Sequence, residues 1–217
     1  MFVSGFVIIN QAIRFDYPVV EAIESILPLC DEVVVAVGDG DDGTRELIAG
    51  MATDKIRIID TVWDPSLREG GKVLAVETNK AYAAISPQAD WAIYIQGDEV
   101  MHEDGHEEVR RAMAEHLDDA SVDGLLFRYR HFYGSYDFVG ASDRWYANEV
   151  RVVRACPTIR SFRDAQGFRI RNNELLRVAP LDAWIHHYGW VRPPKIMQDK
   201  QVAFNKLWHS DDWVERH

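Results

Sequence analysis

The stretch WAIYIQGDEV, residues 91–100, runs from an apolar and aromatic segment into a glycine and two carboxylates. A short apolar run that ends at a glycine is typical of a buried strand. If that strand belongs to a parallel sheet, Asp98 and Glu99 lie at its carboxyl edge, where such sheets bind ligands. In another setting the same residues form a solvated turn. The surrounding sequence therefore decides what this stretch does.

The first part of the chain alternates between strand-like and helix-like segments. The continuous β-branched run DEVVVAV, residues 31–37, is typical of a strand that is covered on both faces. Such alternation predicts an α/β fold, with a mainly parallel sheet flanked by helices. The predicted strands are 6–10, 31–37, 56–60 and 91–96. The predicted helices are 18–29, 71–85 and 103–117, together with a helix that starts in DDGTRELIAGM, residues 41–51.

The pattern changes after residue 120. Segments 124–134 and 148–155 alternate like half-exposed strands, and segment 194–208 has the periodicity of an amphipathic helix. We expect Ile196, Val202 and Ala203 of that helix to face the core. Because no linker or repeat interrupts the sequence, we predict a single domain over 1–217, with a parallel half at 1–105 and a mixed half at 120–217.

Charge is unevenly distributed along the chain. The net charge of -11 argues against nucleic-acid binding, which depends on phosphate contacts. Residues 1–126 carry 9 Lys and Arg against 25 Asp and Glu, whereas residues 127–217 carry 15 against 10. This charge difference has two explanations. Either the two halves simply expose differently charged surfaces to solvent, or an acidic half that binds a cation faces a half that tolerates anions. Of the 24 aromatic residues, 16 lie from Phe127 onward, so an organic acceptor is expected there.

The sequence gives no sign of a membrane segment. No apolar run approaches the length that crosses a bilayer, and the N-terminus MFVSGFVIIN lacks the basic start of a signal peptide. Cys30 and Cys156 are the only cysteines and are too few for a disulfide framework. A reducing cytoplasm is therefore the expected location.

Three stretches in this order carry a resemblance to a known family: FVIINQAIR (6–14), VVVAVGDGDDGT (33–44) and IYIQGDE (93–99). Together they resemble a family 2 glycosyltransferase of the GT-A fold, over roughly residues 3–105. The chain departs from the family pattern at four positions, where the family has Pro, Asn, Asp and Asp: Asn10, Ile13, Gly38 and Gln96. The resemblance implies a Rossmann-like GT-A sheet. It also implies a hexosyltransferase-like enzyme that moves a sugar from a nucleotide-diphospho-sugar, UDP-linked, to an acceptor hydroxyl with inversion.

The same resemblance indicates which residues bind the donor. Asp39 corresponds to the family residue that contacts uridine, and Asn10 and Arg14 belong to the first motif. Arg68 and Lys72 in SLREGGK, residues 66–72, lie where the family places basic residues near the base or diphosphate. From the residues alone, this last segment also fits an exposed basic loop, and the Asp-Gly run after residue 38 also fits a turn that caps a helix.

A divalent cation, Mn²⁺ or Mg²⁺, is implied as well. Asp98 corresponds to the family residue that holds a cation between the two phosphates, and such hard cations prefer carboxylate oxygens. His187 in WIHHYGWVR, residues 184–192, is the candidate for the C-terminal histidine that metal-dependent members supply. A packed core histidine is the alternative for His187, and His186 would point the other way on a strand. We expect Glu99 to begin a helix rather than to bind the cation, and Arg192 to meet phosphate.

An inverting transferase needs a carboxylate that deprotonates the acceptor hydroxyl. Asp164 in SFRDAQGFR, residues 161–169, lies where the family places this base. Competing carboxylates are those of Asp137, Asp143 and Glu149. The acceptor is not specified, with a saccharide or a lipid-linked saccharide as candidates.

Two other functions stay open. One is a relative that binds a nucleotide without turnover. The other is a sugar nucleotidyltransferase, which should carry a glycine-rich basic loop after the first strand. The corresponding segment here, NQAIRFDYP (10–18), contains no glycine.

Overall fold

A computed structural model describes residues 1–216 of the chain. An eight-stranded sheet has the order β3-β2-β1-β4-β7-β6-β10-β5. Its strands are β1 (Val3–Ile9), β2 (Glu32–Gly38), β3 (Ile56–Thr61), β4 (Trp91–Tyr94), β5 (Glu99–Met101), β6 (Gly124–Tyr133), β7 (Asn148–Arg154) and β10 (Val178–Trp190). A separate hairpin pairs β8 (Ile159–Phe162) with β9 (Gly167–Ile170). The helices are α1 (Val19–Ile26), α2 (Thr44–Ala49), α3 (Lys72–Ala83), α4 (His106–Glu115), α5 (Pro194–Asn205) and α6 (Asp211–Arg216).

Most strands of the sheet run in one direction. Strands β3, β2, β1 and β4 are parallel neighbours, as the alternating first part of the sequence predicts. Strand β7 is antiparallel to both β4 and β6, and β10 then lies parallel to β6. The predicted α/β fold, a mixed but mainly parallel sheet flanked by helices, is confirmed.

Alternate residues of each central strand pack on opposite faces of the sheet. On one face, Ile93 and its neighbours pack with residues of α1 and α4. On the other face, Tyr94 packs with residues of α3 and of the β8–β9 hairpin. Because helices or the hairpin cover both faces of the sheet, every residue of β1 and every residue of β2 after the first is buried. Among residues 1–216, no helix has both the length and the apolar character needed to cross a membrane.

Strands β1, β4 and β10 end at the same edge of the sheet, and α5 lies over that edge. Met197, Phe204 and other residues of α5 line the cavity between the helix and the sheet. The prediction that Val202 faces the core is wrong, since this side chain is 46% exposed and α5 buries no residue completely. The helix covers a cavity instead of packing on a closed core.

Candidate functional site

A cavity of about 580 Å³ lies at the carboxyl edge of the sheet. Asn10 lies there just after β1, Asp98 just after β4, and His187 near the end of β10. Helix α5 adds Lys200 to the wall. The side chains of three strand ends therefore meet in one cavity, as the parallel arrangement requires.

Asp98 is surrounded by positive charge. Its Oδ2 lies 3.2 Å from Lys200 Nζ and 3.8 Å from Arg192 Nη2, and the residue is 9% exposed. Burial alone would raise the pKa of the Asp98 carboxyl, but Lys200, His187 and Arg192 together hold that pKa well below its usual range. Asp98 is therefore ionised at neutral pH, and the two basic residues leave the cluster with an excess of positive charge.

The two cations are held in place by backbone carbonyls and by one aromatic ring. Lys200 Nζ donates to Gly189 O at 3.0 Å, and Arg192 Nε donates to Phe15 O at 2.6 Å. Both side chains lie over the ring of Tyr17. Arg192 Nη2 is buried and has no hydrogen-bond partner among the described residues. The buried guanidinium beside Lys200 adds positive charge next to the cavity wall, which favours an anion such as phosphate in the cavity.

His187 lies next to the charged cluster. Its Nε2 is 4.0 Å from Asp98 Oδ2, and its Nδ1 is 2.9 Å from His131 Nδ1. Burial lowers the pKa of His187, which outweighs the attraction of the Asp98 carboxylate. Gly189 leaves the room for this arrangement, because a Cβ at that position would lie 2.5 Å from His187 Nε2. His186, on the opposite face of β10, packs against His102 and Phe132.

Asp98 and His187 are the residues that would hold a divalent cation. Their Oδ2 and Nε2 atoms lie 4.0 Å apart in the wall of the same cavity, and such cations prefer carboxylate oxygens. Within residues 1–216 no group of three or more His, Cys, Asp and Glu side chains could enclose a metal ion. A cation would therefore need oxygens from a substrate or water, and it would compete with Lys200 for Asp98.

Asp164 lies in the wall of the same cavity. It occupies the tip of the β8–β9 hairpin between Arg163 and Ala165, whose φ angles of 56° and 64° are unusual for residues other than glycine. Gln96 Nε2 donates to Ala165 O at 3.3 Å, which ties the hairpin tip to the segment after β4. Such strained turns persist where their surroundings enforce them, and they are common at functional sites.

The structure brings together only some of the predicted donor-binding residues. Asn10 lines the cavity, and its Oδ1 is buried without a hydrogen-bond partner among the described atoms. Asp39 is exposed at the end of β2, and Lys72 is exposed at the start of α3. Arg14 is also exposed and pairs loosely with Asp41 at 3.8 Å. None of these last three residues contributes to the cavity wall within the described chain.

Arg68 contacts the C-terminal segment instead of the cavity. Its Nε donates to Lys206 O at 2.5 Å, and its Nη2 lies 2.9 Å from Asp211 Oδ1. The nearby Gly71 N donates to Leu207 O. The basic loop at 66–72 thus anchors the segment that follows α5, a contact between distant residues that no local sequence pattern predicts.

The expectation that Glu99 begins a helix is wrong. Glu99 lies on β5, and its carboxylate accepts two hydrogen bonds of 2.8 Å from the Arg151 guanidinium, with both side chains fully buried. Of the competing bases, Asp137 and Asp143 are exposed. Glu149 accepts a hydrogen bond from Gln166, and burial raises the pKa of its carboxyl.

Sequence reasoning did not single out Lys200. Residues Met197, Phe204 and Leu207 form an apolar stripe at helical spacing, and Lys200 falls within that stripe. A lysine on the apolar face of a helix needs a buried anion, and Asp98 is that anion here. The helical periodicity of this stripe therefore indicated that Lys200 faces inward. We expected the neighbouring face of the helix, with Ile196 and Val202, to do so instead.

No protein-family model and no curated protein matches the sequence. Among solved structures, the chain is similar to S. aureus TarS 1-349, with a TM-score of 0.50 and 14% identity over 94% of this chain and 64% of that one. The complex of the same fragment with UDP gives the same values. The chain therefore spans about two thirds of the length of this relative.

Weaker similarities involve other proteins. A 4-diphosphocytidyl-2C-methyl-D-erythritolsynthase from Anaerococcus prevotii gives a TM-score of 0.47 and 12% identity over 94% of each chain. Glucosyl-3-phosphoglycerate synthase from Mycobacterium tuberculosis, in complex with Mn²⁺, UDP and phosphoglyceric acid, gives 0.38 and 19% over 63% of this chain and 44% of that chain. The similarity to TarS shows that the chain has a GT-A-like fold.

Proposed function

We propose that this protein transfers a sugar from a nucleotide-diphospho-sugar to an acceptor hydroxyl. The observation that carries the proposal is the charged cluster of Asp98, Lys200 and Arg192 at the carboxyl edge of a GT-A-like sheet. Asp98 and Lys200 line the cavity, and Arg192 is buried next to them. A nucleoside diphosphate is a strongly anionic leaving group, and preorganised positive charge stabilises it as the sugar departs. A uridine donor is favoured because TarS has been solved with UDP in this fold.

The donor would lie along the cavity with its diphosphate at α5. Lys200 Nζ is the donor in the cavity wall that phosphate oxygens would meet. Arg192 Nη2 is buried 3.8 Å from Asp98 Oδ2 and would add positive charge next to the phosphates. The buried Asn10 Oδ1 is free to accept an N–H from the nucleobase or a hydroxyl from the ribose. Asp39, Arg14, Arg68 and Lys72 remain candidates for donor contacts only if their loops move towards the cavity.

Asp98 and His187 are the residues that would hold Mn²⁺ or Mg²⁺. A bound divalent cation neutralises charge on the departing diphosphate. Asp98 also positions Lys200, because the carboxylate and the Gly189 carbonyl together hold the ammonium at the cavity wall. When the donor binds, Lys200 would pass from the Asp98 carboxylate to the phosphate oxygens.

The acceptor would approach from the side of the aromatic residues. Trp190 lines the cavity and contacts Tyr133 and Trp145, whose rings flank it at 6.3 and 6.1 Å. Aromatic faces of this kind suit the apolar face of a sugar ring. Asp164, at the hairpin tip in the same cavity, is the carboxylate that would take the proton of the acceptor hydroxyl during inversion. Both cysteines are free, which is compatible with catalysis in a reducing cytoplasm.

Thermal unfolding with UDP and Mn²⁺ tests the donor site. Ligand at a hundred times its Kd adds about 2.7 kcal/mol to the free energy of unfolding, or roughly 5–10 °C in midpoint for a chain of this size. We expect this shift in the wild type and its loss in Asp98→Asn. Lys200→Met should weaken UDP binding on the order of tenfold or more, since it removes a charge-assisted hydrogen bond. Asp182→Asn, at an exposed ion pair with Arg128, is the matched control and should behave as the wild type.

A second measurement separates an enzyme from a non-catalytic relative. Slow release of free sugar from a UDP-sugar, present in the wild type and lost in Asp98→Asn, would support the transferase. A folded wild type that binds neither UDP nor another nucleoside diphosphate, with or without Mn²⁺, would overturn the proposal. Binding without any turnover of UDP-sugars would favour the non-catalytic relative.

A further inference from the structure

His131 is a buried histidine on β6, and it is paired across the sheet with His187 of β10. It is 3% exposed, with its ring stacked on Trp145 at 5.0 Å and against the edge of Tyr146 at 4.3 Å. Its two nitrogens face different partners: Nε2 lies 2.8 Å from Tyr146 O, and Nδ1 lies 2.9 Å from His187 Nδ1. Packing and both hydrogen bonds thus fix the orientation of this ring.

The positions of the protons follow from these partners. A backbone carbonyl only accepts hydrogen bonds, so His131 Nε2 must carry a proton and donate it to Tyr146 O. A neutral imidazole has one N–H, which leaves His131 Nδ1 with a lone pair. The short contact between the two Nδ1 atoms then requires His187 Nδ1 to donate. His187 Nε2 consequently has a free lone pair, on the side of the ring that faces Asp98.

The alternative is a charged His131 that donates from both nitrogens. His187 would then accept at Nδ1 and carry its proton on Nε2. Burial opposes this state, because His131 is only 3% exposed and a charged ring there would lose its hydration. The rings of Trp145 and Tyr146, which enclose His131, also provide less stabilisation for a full charge than water does.

We propose that His131 is a positioning residue, which holds His187 in the tautomer with an unprotonated Nε2 directed at the Asp98 cluster. In this tautomer His187 can accept a hydrogen bond or bind a divalent cation without first losing a proton. The proton positions are independent of what the protein catalyses, whereas the use of the Nε2 lone pair at the donor site rests on the proposed function.

The arrangement also links the acceptor side to the donor side. Tyr146 O belongs to the segment between β6 and β7, and this segment carries Trp145 of the aromatic wall. A displacement of this segment would remove the acceptor for His131 Nε2 and release the His187 tautomer. Partners of this kind, which orient a ligating histidine, typically change metal affinity 10–100-fold when removed.

Nuclear magnetic resonance of the histidine side chains tests the proton positions directly. In protein with ¹⁵N-labelled histidine at pH 7.5, without metal or nucleotide, the ring nitrogens report which of them is protonated. His187→Gln assigns the signals by their disappearance. We expect His187 protonated at Nδ1 and His131 protonated at Nε2. A His187 protonated at Nε2, or a charged His131, would overturn the proposal, and this measurement requires no altered His131.

His131→Phe then tests the positioning role. It keeps a ring of similar shape but leaves His187 Nδ1 without an acceptor, so we expect a mixture of His187 tautomers. In the same variant, Mn²⁺-dependent UDP affinity should fall at least roughly tenfold. The matched control is His116→Phe, at a histidine outside the cavity whose Nδ1 lies 3.4 Å from Asp119 Oδ2. An unchanged His187 tautomer in folded His131→Phe would contradict the proposal. Failure of the wild type to bind UDP would instead count against the proposed function. The nuclear magnetic resonance measurement of the proton positions would still test the role of His131.

Discussion

The Glu99–Arg151 pair is the one ion pair in the described chain whose two side chains are both fully buried. Arg151 also donates a hydrogen bond to Gln166 O at 2.9 Å, and the Tyr129 hydroxyl donates a hydrogen bond to Glu99 Oε1 at 2.9 Å. The pair therefore joins β5, β6, β7 and the hairpin tip that carries Asp164. Its desolvation makes it a weak source of net stability, but the loss of one partner is costly. Its role is to hold the hairpin tip at the cavity.

We predict that Arg151→Met destabilises the protein by about 3–5 kcal/mol, because it leaves the Glu99 carboxylate buried without a counter-charge. Urea unfolding measures this change. The double variant Glu99→Met/Arg151→Met should recover part of the loss. Arg128→Met breaks an exposed pair with Asp182 and should cost less than about 1 kcal/mol. Equal losses in Arg151→Met and Arg128→Met would contradict the prediction.

A second prediction concerns the pH dependence of stability. Burial, and then the neighbouring His102, lower the pKa of His186 to about 4. Charged Arg130 and Glu103 also act on this ring, and the Tyr188 hydroxyl lies 3.4 Å from its Nδ1. Because the folded pKa is below the unfolded value of about 6.5, stability is complete above pH 6.5 and falls as the pH drops towards 4.

His186 alone should lower the free energy of unfolding by about 1 kcal/mol between pH 7.5 and 5.5. His186→Phe, in a site already lined by Phe132, should remove that part of the loss. Urea unfolding of both proteins at the two pH values measures the difference. The burial-lowered pKa of His187 and that of His131 act in the same direction and persist in the variant, so only the difference between the proteins is diagnostic. Parallel pH profiles would show that folding does not lower the pKa of His186.

Helix α5 is attached to the body by few contacts for its length. Met197, Phe204 and Lys200 face the cavity, yet no residue of α5 is fully buried. Arg68 anchors the segment that follows the helix through Lys206 O and Asp211. A helix that covers a cavity with so few buried contacts belongs to the least stable part of the fold.

We therefore expect Arg68→Met to increase amide hydrogen exchange in residues 194–209 with little change in the midpoint of thermal unfolding. The reason is that Arg68 joins only this segment to the loop before α3. Arg45→Met, which breaks an exposed pair with Asp60, is the matched control and should leave exchange in α5 unchanged. If exchange in α5 stays at the wild-type level in Arg68→Met, other contacts hold the helix.

The sequence predicted elements with strong local patterns and missed those defined by distant partners. The run at 31–37 and the apolar segment at 91–96 are strands because their own residues favour a buried strand. Strand β5 has only three residues, and it forms by pairing with β10, more than eighty positions away. The environment of Glu99 depends on Arg151, fifty-two positions away. No local pattern contains that information.

For the candidate site too, the sequence predicted the residues at strand ends but not the residues that distant elements contribute. Asp98 and Asn10 follow parallel strands, so the edge of the sheet where they meet could be inferred from the alternation of elements. His187 and His186 were expected on opposite faces of a strand, and they lie so. Lys200 and His131 could not be placed, because their roles depend on how α5 and β6 lie against β10. The sequence thus indicated the chemistry of the edge but not the residues that other elements bring to it.

The whole molecule should unfold as one unit, because a single sheet draws strands from both halves of the chain. Strand β4 pairs with β7 of the second half, and Arg151 of β7 forms the ion pair with Glu99. We expect urea unfolding of the full chain to give one transition, with coincident midpoints by tryptophan fluorescence and circular dichroism. A fragment of residues 1–120 would expose the edge of β4 and leave Glu99 unpaired, so it should show no cooperative transition.

Residues 1–193 provide the matched control for that fragment. This truncation removes α5 and α6 but keeps all ten strands, and α5 contributes no fully buried side chain. Its transition should therefore remain cooperative, although Lys200 is lost and UDP binding should weaken with it. Cooperative unfolding of residues 1–120 alone would mean that the parallel half is an independent unit. The strands after residue 120 would then be an addition to an independently folded parallel half rather than part of its core.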